Sequence, residues 1–229
     1  MPASGTFFRA GLLGALTAAL LLAVMLGLSR SQANGLTQEE KLDVNCLGQM
    51  TTTFTVGTPS AFTPAQTFTA VNTGRLTTVG LQIVDVEGVG DLVVEIRAVD
   101  ASGVPTNVVL ASSSIPASEI VNRTTHEVSF DPGAEVVSGQ QYALVLSTSE
   151  ETSYLLGVND LNPCPGGQAY RSMGGGPSEP QGSYDLRFNT YVTPEPTPMT
   201  KADCRKGGWR EFGYPDQGTC IRDVNRRNH

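Results

Sequence analysis

The stretch DLVVEIRAVDASGVPTNVVLAS, residues 91–112, decides the fold, because it holds two strand patterns separated by a turn signal. In its first half apolar and charged residues alternate, and Leu92, Val94 and Ile96 fall on one face of an extended chain. A period of two is typical of a strand with one buried face. Residues 100–105, DASGVP, are rich in turn-forming types. The stretch therefore predicts two strands joined through a turn.

The same alternation recurs throughout residues 51–192. In chain order the other segments are AQTFTAV (65–71), VGLQIVDV (79–86), HEVSF (126–130), QYALVLS (141–147), SYLLGV (153–158) and YDLRFNTYV (184–192). Turn signals such as Asp-Pro-Gly at 131–133 separate them, and in the last segment Tyr184, Leu186 and Phe188 are expected to face inward. About seven to nine short strands without a helical period predict a single all-β domain, a β-sandwich or jelly roll.

The first 33 residues are of a different kind. Arg9 precedes an uncharged apolar run at 11–28, and the small residues Ser31 and Ala33 suit a cut after position 33. This order predicts a signal peptide over residues 1–33. The alternative is an uncleaved N-terminal anchor, because about 18 apolar residues just reach the length that spans a bilayer. Either way, we expect the remaining chain to lie outside the cytoplasm, secreted or associated with the cell surface.

The chain has four cysteines, Cys46, Cys164, Cys204 and Cys220. Outside the cytoplasm they predict disulfides rather than a metal site, since there is no CxxC and only two histidines. Three pairings are open. The short Gly-rich loop between Cys204 and Cys220 favours joining these two, which leaves Cys46 with Cys164. That second bridge would clamp a lead-in, residues 34–50, to the body.

Charge is distributed unevenly along the chain. Residues 34–200 carry 6 Lys+Arg and 18 Asp+Glu, a net charge of −12, whereas residues 201–229 carry 7 and 4, a net charge of +3. The acidic body argues against nucleic acid as a partner, because phosphates need basic surface. The basic tail could reach an anionic envelope polymer or a membrane surface, or could be a solvated tail that adds only solubility. Pro-rich residues 193–200 predict an extended linker to a Cys-bounded C-terminal module, 201–229.

Groups that could carry catalysis are scarce. His126 is the only histidine of the body, and it lies in phase with Val128 and Phe130, so we expect it at the margin of the apolar face. The chain has no GxSxG or HExxH motif. Outward-facing Glu95 and Glu127 leave a hydrolase open, which needs two carboxyl groups across a cleft. The sequence therefore favours a protein that is not an enzyme and needs no catalytic cofactor.

Ligand contacts are expected at aromatic residues in polar surroundings. Tyr170 stands between NPCPGGQA and a long polar Gly-rich stretch, so residues 159–183 are the candidate binding edge. Trp209 and Tyr214 are the candidates in the tail. The alternative is a surface loop with no ligand. A structural calcium ion also stays open, because acidic residues lie near predicted strand ends: Asp85, Glu87, Asp91, Asp160 and Asp185.

The body resembles a known type of bacterial secreted and surface module. The segments that carry the resemblance are QTFTA (66–70), GRLTTVGLQI (74–83), GDLVVEIRAVDASGVPTNVVLAS (90–112), VVSGQQYALVLST (136–148), NPCPGGQAY (162–170) and DLRFNTYV (185–192). Its most specific piece is the D-x-S-G-x-P-x-x-x-x-L-A-S string that begins at Asp100. The family is the choice-of-anchor type of β-sandwich module. The resemblance implies a sandwich of unassigned biochemical function, found beside enzymes, adhesins or anchoring segments.

Two further features belong to this resemblance. The chain departs from the family pattern at Cys164, where an aromatic residue is more usual, and this supports a bridge from Cys164 to Cys46. The tail DCRKGGWREFGYPDQGTC, residues 203–220, is similar to a segment of the form C-x-x-G-G-W…Q-G-x-C at the ends of secreted actinobacterial proteins. The function of that segment is unassigned as well.

These observations predict a secreted, non-catalytic β-sandwich that binds a glycan of the cell envelope or the extracellular space. The next alternative is a structural or accessory module with no ligand. A hydrolase that uses acidic residues comes third.

Overall fold

A computed structural model of the protein describes residues 39–58, 60–149, 151–164 and 166–227, so the predicted signal segment at 1–33 lies outside the described residues. The described chain forms thirteen strands: β1 (Lys41–Asn45), β2 (Thr52–Gly57), β3 (Phe62–Thr69), β4 (Gly74–Glu87), β5 (Leu92–Val99), β6 (Pro105–Ile115), β7 (Thr124–Val136), β8 (Gln141–Thr148), β9 (Ser153–Asn159), β10 (Ala169–Met173), β11 (Glu179–Pro180), β12 (Asp185–Leu186) and β13 (Phe188–Pro194). The predicted all-β fold is confirmed.

Helical structure is confined to short pieces. One α-helix, α1 (Gln217–Arg227), ends the described chain, and single 3₁₀ turns occur at Ala117–Glu119 and Gly208–Arg210. No helix in the described ranges is long and apolar enough to cross a membrane.

The strands form one curled antiparallel sheet. Its order is β1-β13-β4-β9-β2-β3-β8-β5-β6, while β7 pairs with β4, β10 with β3 and β11, and β12 with β9. The long strand β4 connects the two halves: residues 74–83 pair with β7, whereas residues 83–87 pair with β9. Because β4 belongs to both halves, the β1-β13-β4-β7 half folds back over the other strands. The result is a sandwich-like body, residues 39–194.

The main core lies between the two halves. Leu92, Val94 and Ile96 on β5 are fully buried, as their alternation predicts. Across the core the rings of Phe68 on β3 and Phe188 on β13 have their centroids 5.8 Å apart. Since β3 and β13 belong to different halves, this contact packs one half against the other.

Strand β8 is apolar on both faces, and both faces are buried. Leu144 and Leu146 point into the main core. Ala143 and Val145 point to the outside of the sheet, where they form a second small cluster with Tyr170 and other residues. Strand β8 is therefore covered on both sides.

Two disulfides are present, in the favoured pairing. Cys46 and Cys164 are bridged with 5.3 Å between their Cα atoms, and Cys204 and Cys220 with 5.8 Å. The first bridge joins the residue after β1 to the loop before β10, across a sequence separation of 118 residues. The second closes a local separation of 16 residues. Disulfides of this kind fit an extracellular location.

Residues 199–227 form the C-terminal module. Cys204, Cys220 and Val224 are buried together, and Trp209 and Tyr214 pack against them. All described residues belong to one compact unit. The hydrogen bonds of the described C-terminal module have both partners within residues 198–227.

The lead-in at 34–50, for which no strand was predicted, contributes strand β1. Strand β1 pairs with β13, with Leu42 opposite Tyr191 and Val44 opposite Thr190. The buried side chain of Asp43 accepts hydrogen bonds from the backbone amides of Val71, at 3.0 Å, and Asn72, at 2.7 Å. Because the buried residue of β1 is an acid, the sequence of β1 lacks the apolar alternation by which the other strands were predicted.

Two local predictions in the body are wrong. Asp-Pro-Gly at 131–133 was expected to be a turn but lies inside β7, at a register shift against β4 that absorbs the extra residues. Tyr184 was expected to face inward but is 39% exposed, with its ring against the edge of Phe54. The alternation fails there because Asp185 and Leu186 are both buried.

Candidate functional site

The candidate site is a groove at one edge of the sandwich body, inside the edge at 159–183. Strand β10 pairs with β3 on one side and with the short strand β11 on the other, and the turn from β10 to β11 closes the groove. The groove has a volume of about 380 Å³ and is lined by Phe62, Arg171, Ser172, Met173, Gly176, Pro177, Glu179 and Gln181. We call it the edge groove.

Arg171 is the central polar group of the edge groove. Its guanidinium carbon lies 4.1 Å from the centroid of the Phe62 ring, a cation–π contact that orients the planar fork. Glu179 lies opposite Arg171 in the register of β10 and β11. In the described part of the chain Arg171 makes no ion pair, so its hydrogen-bond donors are available to a ligand.

The turn that closes the edge groove depends on glycine. Gly174 and Gly175 have φ angles of 57° and 76°, which side chains with a Cβ adopt at a cost. The amide of Gly174 donates to the carbonyl of Ala61 at 3.2 Å, which ties the turn to the start of β3. The exposed side chain of Met173, 61% accessible, adds apolar surface beside it. The groove therefore combines apolar walls with a few oriented polar groups, as ligand sites do.

Tyr170, the aromatic candidate at this edge, does not line the edge groove. It is only 8% exposed and packs with Ala65, Ala143 and Val145 on the outside of the sheet. Successive side chains on a strand point to opposite faces, so its neighbour Arg171 faces the groove instead. Of these two neighbours on β10, Arg171 lines the edge groove and Tyr170 does not.

Sequence reasoning missed Arg171 and Phe62. A signal for Arg171 was present, because it is the only Lys or Arg between Arg123 and Arg187 in an acidic body. No comparable signal marked Phe62, which is distant in sequence and approaches Arg171 only through the pairing of β3 with β10.

The other two candidates, Trp209 and Tyr214, lie in the C-terminal module. Both are half-buried against its disulfide. The guanidinium carbon of Arg210 lies 4.4 Å from the Trp209 ring centroid, and the hydroxyl of Tyr214 donates to Asp223 at 2.5 Å. This hydrogen bond raises the pKa of Tyr214. Tyr170 belongs to a different apolar cluster, so the three candidates do not form one site.

A buried polar network supports the loop that leads into the candidate edge. The carboxylate of Asp185, 1% exposed, accepts hydrogen bonds from Gln66 Nε2 at 2.7 Å and from the backbone amide of Cys164 at 3.1 Å. Gln66 in turn accepts from the amide of Leu186 at 2.9 Å. Burial raises the pKa of Asp185, although these hydrogen bonds oppose the shift. The network and the Cys46–Cys164 bridge thus hold the same loop.

The acidic pair considered for hydrolysis does not converge. Glu95 points away from the core on β5 and is bonded by Arg97 Nε at 2.8 Å. Glu127 is exposed on β7, in the opposite half, next to core-facing Val128. His126 lies at the margin, as expected, with its Nε2 2.9 Å from the carbonyl oxygen of Val121. A cleft with two facing carboxyl groups cannot be built from Glu95 and Glu127 in this arrangement.

Metal ligands do not cluster among the described residues, where no three His, Cys, Asp or Glu side chains come close enough to hold an ion. Two of the acids considered for calcium have other partners. Asp85 accepts from Asn122 Nδ2 at 2.6 Å, and Asp185 is engaged in the buried network.

Comparison with known proteins adds no functional label: no protein-family model matches the chain, and no curated protein matches it.

Proposed function

We propose that the protein is a secreted, non-catalytic β-sandwich module that binds an extracellular or envelope glycan in the edge groove. The observation that carries the proposal is the groove itself, in which the guanidinium of Arg171 is held over Phe62 without an ion-pair partner in the described chain. Apart from Arg171 and Glu179, the residues that line the groove are uncharged, and such a lining suits a ligand with many hydroxyl groups.

Each group of the edge groove has a role in this proposal. Arg171 donates to ring or hydroxyl oxygens, while Glu179 accepts from sugar hydroxyls. The Gln181 side chain donates to the carbonyl of Glu179 at 3.0 Å and keeps its own carbonyl as an acceptor. Met173 and Pro177 supply apolar surface for the C–H face of a sugar ring. A set of fixed polar groups between apolar walls gives orientation as well as affinity.

The edge groove is held in place by the surrounding fold. Strand β10 is hydrogen-bonded to β3, and the preceding loop is held by the disulfide and by Asp185. A site held in place before the ligand arrives loses less conformational entropy on binding. The resemblance to choice-of-anchor modules, the predicted signal at 1–33 and the two disulfides support a secreted or cell-surface location for this function.

A structural or accessory module with no ligand is the second candidate. The observation that favours it is the burial of Tyr170, because the residue expected to contact a ligand serves the packing of β8 and β10 instead.

Glycan-array binding and a cell-wall pull-down test the proposal. We expect the purified protein to bind at least one glycan, and Arg171→Gln to weaken that binding about tenfold or more, because a hydrogen bond to a charged group contributes about 1.5–3 kcal/mol. The matched control is Arg123→Gln, an exposed arginine outside the groove, which should bind as the parent does. Signals no higher than those of denatured protein would contradict glycan binding. Equal losses in both variants would contradict the edge groove as the site.

A further inference from the structure

The C-terminal module turns its positive charges outward. Each Lys and Arg side chain described in it is exposed: Lys201, Arg205, Lys206, Arg210, Arg222, Arg226 and Arg227. Over residues 201–229, 7 Lys+Arg against 4 Asp+Glu give the net charge of +3.

Three of the four acids are engaged inside the C-terminal module. Asp203 accepts hydrogen bonds from the amides of Met199 at 2.9 Å and Thr200 at 2.8 Å. Asp216 accepts from the amide of Thr219 at 2.7 Å, at the start of α1. These hydrogen bonds lower the pKa of both carboxyl groups. Their negative charges are therefore directed at backbone donors rather than at a partner.

The third acid, Asp223, is shared by several groups. It accepts from the Tyr214 hydroxyl and forms ion pairs with Arg226, at 2.6 Å, and Arg227, at 2.9 Å. The hydrogen bond from Tyr214 lowers the pKa of Asp223. The other five cations of the C-terminal module make no ion pair within the described chain. These five cations, Lys201, Arg205, Lys206, Arg210 and Arg222, are therefore exposed and not ion-paired within the described chain.

Four of these five cations occur in two places, and the fifth, Lys201, lies near the start of the C-terminal module. Arg205, Lys206 and Arg210 lie on the loop 204–210, where Arg210 stacks on Trp209. Arg222 lies on α1, where it donates to Thr219 Oγ1 at 2.9 Å and lines a shallow open groove of about 410 Å³. The C-terminal module thus exposes three arginines that are not ion-paired, Arg205, Arg210 and Arg222, although Asp223 also lines the groove of Arg222.

We propose that this cationic surface binds a linear, phosphate-bearing polymer outside the cell, as a contact separate from the edge groove. Guanidinium groups match the geometry of phosphate oxygens and can bind them with two parallel hydrogen bonds. A chain of phosphates can engage several such groups at once.

The negative charge of the body favours a thin polymer over a flat anionic membrane as the partner of the C-terminal module. Residues 34–200 carry a net charge of −12, so a broad negative surface would repel the body while it attracted the C-terminal module. A linear polymer can contact the C-terminal module alone. Residues 195–198, EPTP, lie between the end of β13 and the C-terminal module. A Pro-rich segment of this kind acts as a spacer.

The test uses the full chain and long-chain inorganic polyphosphate as the probe, with binding measured at a series of salt concentrations. We expect Arg205→Gln/Lys206→Gln/Arg222→Gln to weaken binding at least about tenfold. We also expect it to lower the slope of log affinity against log salt by about 2, since each lost phosphate contact removes about 0.7–0.9. The control Lys41→Gln/Arg75→Gln/Arg123→Gln removes as many exposed cations from the body and should keep the affinity and the slope.

Peptide mapping under non-reducing conditions verifies that both variants retain the Cys204–Cys220 bridge. The proposal is overturned if the parent protein does not bind polyphosphate at low salt, or if the two triple variants lose affinity equally. It is also overturned if the parent binds vesicles rich in phosphatidylglycerol but not polyphosphate, since the partner would then be a membrane.

Discussion

The sandwich body and the C-terminal module are each closed by a disulfide, but the bridges act in different settings. In the body, the bridge joins residues 118 positions apart and lies beside a large core. In the C-terminal module, the bridge joins residues 16 positions apart. Among the described residues of that module, its cluster contains one buried residue besides the two cysteines, Val224. The body is thus stabilised mainly by its apolar core, with the disulfide as an addition. The C-terminal module is stabilised mainly by its disulfide, against which a few side chains pack.

The difference follows from chain length. A segment of about 30 residues cannot bury enough apolar surface to offset its conformational entropy, so a covalent link is needed. The body buries both faces of β8 and most of β4, which supplies stability without a link. Damage to the body should therefore be global, and damage to the C-terminal module should stay local.

The largest effect is expected from a core truncation in the body. Phe188→Ala should lower the free energy of unfolding by about 3–5 kcal/mol, because the ring is fully buried against Phe68. The counterpart in the C-terminal module, Val224→Ala, should leave the main urea-unfolding transition in place. A similar loss of stability in both variants would mean that the two regions unfold as one cooperative unit.

The second effect concerns the bridges. Cys46→Ser/Cys164→Ser should destabilise the body by about 2–5 kcal/mol, as loss of a native disulfide commonly does. Cys204→Ser/Cys220→Ser should leave the melting temperature of the body unchanged and increase amide exchange over residues 199–227. A sharp fall in the melting temperature of the second variant would show that the C-terminal module supports the body.

The third effect is a pH dependence of stability that Asp185 gives to the body. Burial raises the folded-state pKa of Asp185 above its unfolded value of about 4, so the folded state binds this proton more tightly. Its contribution is therefore most favourable below about pH 4 and is lost as the pH rises through the raised pKa. Urea unfolding of the parent protein at a series of pH values across this range should show this fall as a slope of the free energy of unfolding against pH.

Substitution separates Asp185 from the other acids. Asp185→Asn should abolish this part of the pH slope. It should also cost about 1–3 kcal/mol, because Gln66 and Cys164 donate to different carboxylate oxygens and asparagine replaces one of these oxygens by an NH2 group. The exposed-acid control Asp160→Asn should retain the slope of the parent. An unchanged slope in Asp185→Asn would assign the pH dependence to other groups.

The smallest effect on stability is expected at the edge groove. Arg171→Gln should lower the free energy of unfolding by no more than about 1 kcal/mol, since Arg171 is half-buried and the contact it loses is the cation–π contact with Phe62. Thermal unfolding checks this directly. A larger loss would mean that the stacking of Arg171 on Phe62 serves the fold of β3 and β10 rather than a ligand.

Most of the sheet could be predicted from alternation, because strands such as β5 and β8 have a regular apolar face. Prediction failed where burial is not apolar or not regular. Strand β1 buries Asp43 against backbone amides, and β7 continues through Asp-Pro-Gly at 131–133 because a register shift accommodates it. Such features depend on partners distant in sequence, which no local pattern contains.

The candidate site was predictable as a region but not as a set of residues. Gly-rich loops identified 159–183, and cysteine spacing favoured the pairing that the structure has. Tyr170 was chosen as an aromatic residue beside these loops, but whether it or Arg171 lines the groove depends on the phase of β10, which is set by the pairing of Tyr170 with Ala65 on β3. A one-residue error in phase exchanges a buried ring for a groove-lining cation.

Amide hydrogen exchange, measured with and without the glycan that binds most tightly on the array, tests directly whether the edge groove is the glycan site. We expect the glycan to slow amide exchange in peptides that cover Phe62 and residues 171–181 and to leave exchange over residues 199–227 unchanged. Protection confined to the C-terminal module, or to the opposite half of the sandwich around β7 and β13, would contradict it.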